Sequence, residues 1–121
     1  MEFVSTFAKG QGYPQKRIQE IGLATEEALV NIFNYAYPDD PKGEVEVRCK
    51  MEDDNNLFID LLDTGIPFKF DSISAPDLDA TITSRLVGGL GVFLIKKMAN
   101  DVQYRREGEM NILTMLFHKT G

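Results

Sequence analysis

Glu27, Asn31 and Asn34 stand at intervals of four and three within TEEALVNIFNYAY (25–37). At 3.6 residues per turn the three project from nearly one side of a helix. A carboxylate beside an amide suits two tasks, a general base and an oxygen ligand for a hard cation such as Mg²⁺. A solvated polar stripe would have the same spacing. A second signal is DTGIPF (63–68), where Asp63 is followed by Gly65 and Ile66. An acid with a glycine two positions on can offer its carboxylate to an exocyclic amine such as that of adenine, while the backbone stays close. The same residues would also make an ordinary turn. The third signal is VGGLGVFLIKKMAND (87–101), with Gly88, Gly89 and Gly91 at a helix entrance. The unpaired amides of a first helical turn form an anion cradle at the positive end of the helix dipole. A hinge with close helix–sheet packing is the alternative. No Gly-Lys-Ser/Thr follows, so this is not a Walker A loop. Leu94 stands where a dinucleotide fingerprint needs its third glycine.

The elements that must position these groups follow from hydrophobic periodicity. Residues 2–10 predict a short helix closed by Gly10, Gly12 and Pro14. Ile18, Ile21, Ala28, Ile32 and Ala36 give a helical stripe over 15–37, ended by Pro38. In 44–51, Val45, Val47, Cys49 and Met51 alternate with Glu46, Arg48 and Lys50, the pattern of a half-buried strand. Asn55–Asn56 predicts a turn into a second strand, 57–63. Residues 64–87, rich in Pro, Asp, Ser and Thr, lack clear periodicity; a loop this long in a small domain predicts a lid or binding loop. A helix over 89–100 comes next, with Leu90, Leu94 and Met98 expected on its inner stripe. A hairpin of strands 102–107 and 110–119 turns at Gly108–Glu109. The order α, α, β, β, lid, α, β, β predicts an α/β (α+β) two-layer sandwich, with helices on one face of a mostly antiparallel mixed sheet.

Composition narrows the class. A chain of 121 residues is expected to form one domain, 1–121, with the lid at about 69–87. An apolar fraction of 43% and a charged fraction of 26% are ordinary for a globular protein. The net charge of −6, with no Lys/Arg cluster beyond two neighbours, argues against a nucleic-acid surface. No apolar run reaches the length of a membrane span, and the N-terminus lacks a signal-peptide layout. The single Cys49 excludes an internal disulfide and reads as core. These features predict a cytoplasmic protein.

Taken in this order, the segments EEALVNIFNYAY, DTGIPFKFD and RLVGGLGVFLIKKMANDVQY resemble the GHKL-type (Bergerat) ATP-binding fold. That superfamily includes gyrase, Hsp90, MutL and histidine kinases. The similarity runs from about residue 15 to 119, and its signatures look like those of the anti-sigma-factor serine/threonine kinases of the RsbW type. The resemblance implies ATP and Mg²⁺ as cofactors, Glu27 as general base and Asn31 as Mg²⁺ ligand. Asn34 would lie beside the nucleotide. Asp63, Gly65 and Ile66 would form the adenine site, with Thr114 near the adenine water. Gly88, Gly89, Leu90, Gly91 and Val92 would supply the phosphate-binding backbone. Arg85 could reach a phosphate or be a solvated lid charge. The implied acceptor is a Ser or Thr of a STAS-type anti-anti-sigma partner, with a sigma factor as a second partner.

Relatives usually begin with a strand ahead of the first helix. Here residue 3 already reads as helix, so the chain is either a fragment of a longer protein or lacks an edge strand. Such an edge often serves dimerisation, and a homodimer is expected. Two other readings use the same motifs: a regulatory module that binds nucleotide without kinase turnover, and a histidine-kinase-like ATPase domain. The latter needs a phosphoacceptor His in a separate helical hairpin, and the only histidine is His118 in the last strand.

Overall fold

The computed structural model describes residues 2–37, 43–67 and 90–119. Helix α1 spans Glu2–Gly10 and α2 spans Gln15–Tyr35. Strands β1 (Val45–Glu52) and β2 (Asn56–Asp63) follow, then helix α3 (Leu90–Met98) and strands β3 (Asp101–Glu107) and β4 (Met110–His118). The sheet order is β1-β2-β4-β3, and every pairing among the described residues is antiparallel. The helices lie on one face of this sheet, with α1 and α3 each packed against α2. Most of the stretch expected as a lid falls outside the described residues.

Each element has a local cause. After α1, Gly12 adopts a φ of +83°, which lets the Gly12 amide bond the Lys9 carbonyl and the Tyr13 amide bond the Ala8 carbonyl. This left-handed turn closes the helix and delivers Tyr13 into the core. There the Tyr13 hydroxyl donates to the Phe117 carbonyl at 2.7 Å, tying the α1–α2 corner to β4. The alternation expected for β1 holds: Val45, Val47, Cys49 and Met51 pack against the core, and the charged residues between them are exposed. The β1–β2 turn sits one step earlier than expected, at 53–55. Asp53 takes a φ of 56° and its carboxylate accepts from the Asn55 amide and Asn56 Nδ2.

The core joins Ile18, Ile21, Ala28 and Ile32 of α2 to Leu57, Ile59 and Leu61 of β2 and to Leu113, Met115 and Phe117 of β4. Helix α3 differs from expectation in its rotation. Among its described side chains the buried ones are Val92 and Ile95, continued by Ala99 just past its end, while Leu94 is only half-buried. The sequence GVFLIKKM is apolar on adjoining stripes, so periodicity alone could not choose between them.

Candidate functional site

Asp63 is the last residue of β2 and is 3% exposed, a buried carboxylate at a strand end. Its neighbour across the ladder is Asn111 of β4, itself buried. Asn111 Nδ2 donates to Asp63 Oδ1 at 2.7 Å and to the Gly65 carbonyl at 3.1 Å. The Gly65 amide meets the same Oδ1 at 2.9 Å, closing the turn that follows the strand. On its other side, the Asn111 Oδ1 accepts from Arg106 Nη1 of β3 at 2.7 Å. Asp63, Asn111 and Arg106 are thus consecutive cross-strand neighbours in one row at one end of the sheet.

The turn after Asp63 is held against the C-terminus of α2. The Ile66 amide donates to the Ala36 carbonyl at 2.8 Å, satisfying one of the carbonyls that a helix end leaves unpaired. Gly65 is required by this approach, because a Cβ there would collide with the Ala36 carbonyl. Ile66 itself is 58% exposed, an apolar side chain left on the surface next to the buried acid. Tyr37 adds a second brace: its hydroxyl accepts from the Thr64 amide at 3.0 Å and donates to the Glu44 carbonyl at 2.8 Å.

On α2, Glu27 is half-buried, Asn31 is 1% exposed and Asn34 is exposed. Asn31 Nδ2 is buried and has no hydrogen-bond partner among the described residues. A buried orphan amide is costly unless a ligand completes it. Because amide N and O are assigned rather than seen, a half-turn of the group would put an oxygen at that orphan position. The donor chemistry therefore fits a hard cation such as Mg²⁺. No cluster of three His, Cys, Asp or Glu among the described residues offers an all-protein cage. That too suits Mg²⁺, which is usually held by few protein groups together with phosphates and water.

At the start of α3, Leu90, Gly91 and Val92 supply first-turn amides that have no partner within the helix. Val92 is buried in the core, so only its backbone can serve a ligand. Gly88, Gly89 and Arg85 lie outside the described residues.

Thr114 is not beside Asp63. It lies on the sheet face away from the helices, where its Oγ1 donates to Asp60 Oδ1 at 2.6 Å and accepts from Arg105 Nη1 at 3.2 Å. Asn111 occupies the position expected of Thr114. The two are three residues apart, and an odd separation along a strand puts side chains on opposite faces. No local signal marks Asn111: β2 and β4 are not consecutive strands, and only their pairing in the sheet sets 111 opposite 63.

A hollow of about 260 Å³ takes in Asp63, Thr64 and the first residues of β1. A larger one of about 490 Å³ lies at the far end of the sheet, around Lys16, Arg17, Lys97 and Lys119. Arg17 is committed there to structure, donating to the His118 carbonyl at 2.8 Å and the Met98 carbonyl at 2.7 Å, and also to Asn100. The greater volume therefore does not mark the site that carries the acid–amide chemistry.

Helices on one face of an antiparallel sheet, a buried acid and tight glycine turn at a strand end, and a Glu/Asn helix beside them define an α/β ATPase-type domain. The family described as histidine kinase-like ATPase domain matches residues 1–117. The serine-protein kinase RsbW of Bacillus velezensis is 31% identical over 114 residues, covering 90% of this chain and 70% of that protein. RsbW of Bacillus subtilis is 29% identical over the same shares, and that of Listeria monocytogenes 28% over 92% and 73%. The chain belongs to the histidine kinase-like (GHKL-type) ATPase domain family, among relatives named RsbW serine-protein kinases.

Solved structures agree on the fold. The histidine kinase domain of the Erythrobacter litoralis blue-light activated histidine kinase superposes with a TM-score of 0.59 at 20% identity, over 86% of this chain and 45% of that one. The Acinetobacter baumannii histidine kinase AdeS gives 0.57 at 17%, over 86% and 48%. The chain thus spans just under half of these histidine kinase chains. No helix among the described residues is long and apolar enough to cross a membrane.

Proposed function

We propose that this protein is an ATP-dependent serine/threonine kinase of the anti-sigma-factor type, which transfers the γ-phosphate of ATP to a Ser or Thr of a STAS-type partner. The observation that carries the reading is the buried Asp63, oriented by Asn111 and fastened through Ile66 to the end of α2. At 1.5 Å rise per residue, Asn31 stands about 7–8 Å and Glu27 about 13–14 Å along the axis from Ala36. That order, from Asp63 to Asn31 to Glu27, supports a reading in which they serve adenine, the metal-bound phosphates and the attacking hydroxyl in turn.

In this reading Asp63 accepts a hydrogen bond from the adenine amine, with Ile66 covering the turn beside it. Gly88, Gly89, Leu90, Gly91 and Val92 present backbone amides to phosphate oxygens, and Asn34 lines the approach to Asn31. Asn31 would hold Mg²⁺, which when bound offsets charge on the phosphates. Glu27 takes the proton from the attacking hydroxyl, and the amides of α3 stabilise charge on the transferred group. A sigma factor is the second partner, and a homodimer through the exposed edge of β1 is the proposed assembly. The test mixes the protein with γ-labelled Mg-ATP and a purified STAS protein encoded beside it. Label on a Ser or Thr that disappears with Glu27→Gln supports the mechanism. Tight ATP binding with no label on any such partner would favour a regulatory binding module instead.

A further inference from the structure

The row Arg106–Asn111–Asp63 has a chemical direction. Arg106 can only donate, so Asn111 Oδ1, 2.7 Å from Nη1, must be the accepting end of the amide. That fixes Nδ2 toward Asp63 Oδ1 at 2.7 Å and the Gly65 and Ile66 carbonyls at 3.1 and 3.4 Å. Among the described residues, both donors to Asp63, the Gly65 amide and Asn111 Nδ2, meet one oxygen, Oδ1. The second oxygen, Oδ2, is then the one to face a ligand, and as an acceptor. An acceptor selects a purine bearing an amine at C6 and repels one bearing a carbonyl there. Arg106, the far end of the row, shares the strand face of Val102 and Tyr104 but is itself exposed.

We infer that Asn111 and Arg106 are positioning residues for base recognition, orienting the Asp63 carboxylate so that the site prefers a 6-amino to a 6-oxo purine nucleotide. The inference rests on the reading of Asp63 as the adenine contact. Asn111→Ala removes the neutral donor that holds Oδ1. Arg106→Ala leaves Asn111 in place but frees its amide to reorient, and Arg106→Lys keeps one donor for Oδ1.

The test measures affinity of the full chain for ATP and for inosine triphosphate by calorimetry, with thermal unfolding of each variant in parallel. Asn111→Ala is expected to weaken ATP binding roughly ten- to a hundredfold, the cost of breaking a buried hydrogen bond to a charged group, while inosine triphosphate changes little. Arg106→Ala should lower the ATP preference about two- to fivefold, as befits an exposed member of the row, and Arg106→Lys should restore most of it. A purely structural role would lower the melting temperature, or weaken both nucleotides equally, and would leave the ratio unmoved. That result overturns the inference if Asp63→Asn still collapses the ratio. If Asp63→Asn leaves the ratio unchanged as well, the adenine reading itself fails and the row falls with it. Should Asn111→Ala not fold, the exposed Arg106 variants decide the matter alone.

Discussion

Ile66 donates its amide hydrogen to the Ala36 carbonyl at 2.8 Å, so the turn that follows Asp63 is bonded to the end of the helix that carries Glu27 and Asn31. Two motifs thirty residues apart in the chain thereby share one rigid joint. The joint requires glycine at 65, since a Cβ there would lie 2.8 Å from both the Ala36 carbonyl carbon and its Cβ. Backbone cannot yield as a side chain can. Gly65→Ala is expected to cost about 1–3 kcal/mol in urea unfolding, the range for overpacking, and to weaken ATP binding by moving Asp63 relative to α2. Unchanged stability together with unchanged affinity would show that the joint is looser than its geometry.

Glu27→Gln keeps the size and helix propensity of the side chain but removes the proposed base. Partner phosphorylation should fall about 10²–10⁴-fold, while ATP affinity stays within a factor of a few. Single-turnover labelling with saturating ATP separates the two. A variant that still labels its partner at the wild-type rate would assign the proton to another acceptor.

Tyr37 braces Thr64 and Glu44 through one hydroxyl, which both accepts and donates. Tyr37→Phe leaves the ring against Phe33 but strips both bonds. A loss of about 0.5–1.5 kcal/mol in unfolding free energy is expected, together with faster amide exchange at Thr64. Exchange at Thr64 that does not change would mean the brace is idle.

The sequence was most informative where local patterning coincides with burial. The alternation of β1 and the apolar stripe of α2 are statements about which face is dry, and Val45 to Met51 and Ile18 to Ile32 obey them. Glu27, Asn31 and Asp63 are candidates because their motifs, ambiguous one by one, stand together in an order that resembles a known family. Asn111 is not, because its importance lies in register: only the antiparallel β2–β4 pairing sets it opposite Asp63. Register also puts Thr114 on the face opposite Asn111, since three residues along a strand reverse the face. The rotation of α3 was hidden by its composition. Val92 and Ile95 are no more apolar than Leu94, and packing on α2 made the choice.

Cys49 provides a probe of β1 that is independent of nucleotide. Burial, with a smaller contribution from Asp60, pushes its thiol from an ordinary 9.0 up to about 11. The neutral thiol is thus favoured by the fold. Between the two values the unfolded chain loses a proton that the folded chain keeps, so stability falls as pH rises from about 9 to 11. Cys49→Val should flatten that part of the pH profile while leaving stability at pH 7 within about 1 kcal/mol. Alkylation of the native protein should be slow at neutral pH and speed up about tenfold per pH unit toward 11. Rapid labelling at pH 7 would contradict the burial of this thiol.

Asn31 sets stability against function most directly. Its buried Nδ2 lacks a partner among the described residues, so without nucleotide it bears the desolvation of a polar group and gains no bond from them. Asn31→Leu fills the same space with apolar atoms, and the nucleotide-free protein should become more stable by about 1–3 kcal/mol. The same change removes the amide proposed for Mg²⁺, so Mg-ATP should no longer raise the melting temperature as it is expected to do in the parent. Asn31→Asp separates the two effects. It retains an oxygen for the cation but buries a charge, and it should be less stable alone yet recover with Mg-ATP. Thermal unfolding with and without Mg-ATP checks all three proteins in one experiment. If Asn31→Leu is destabilised in the absence of nucleotide, the orphan amide is satisfied within the protein and its role as a cation ligand loses its physical basis.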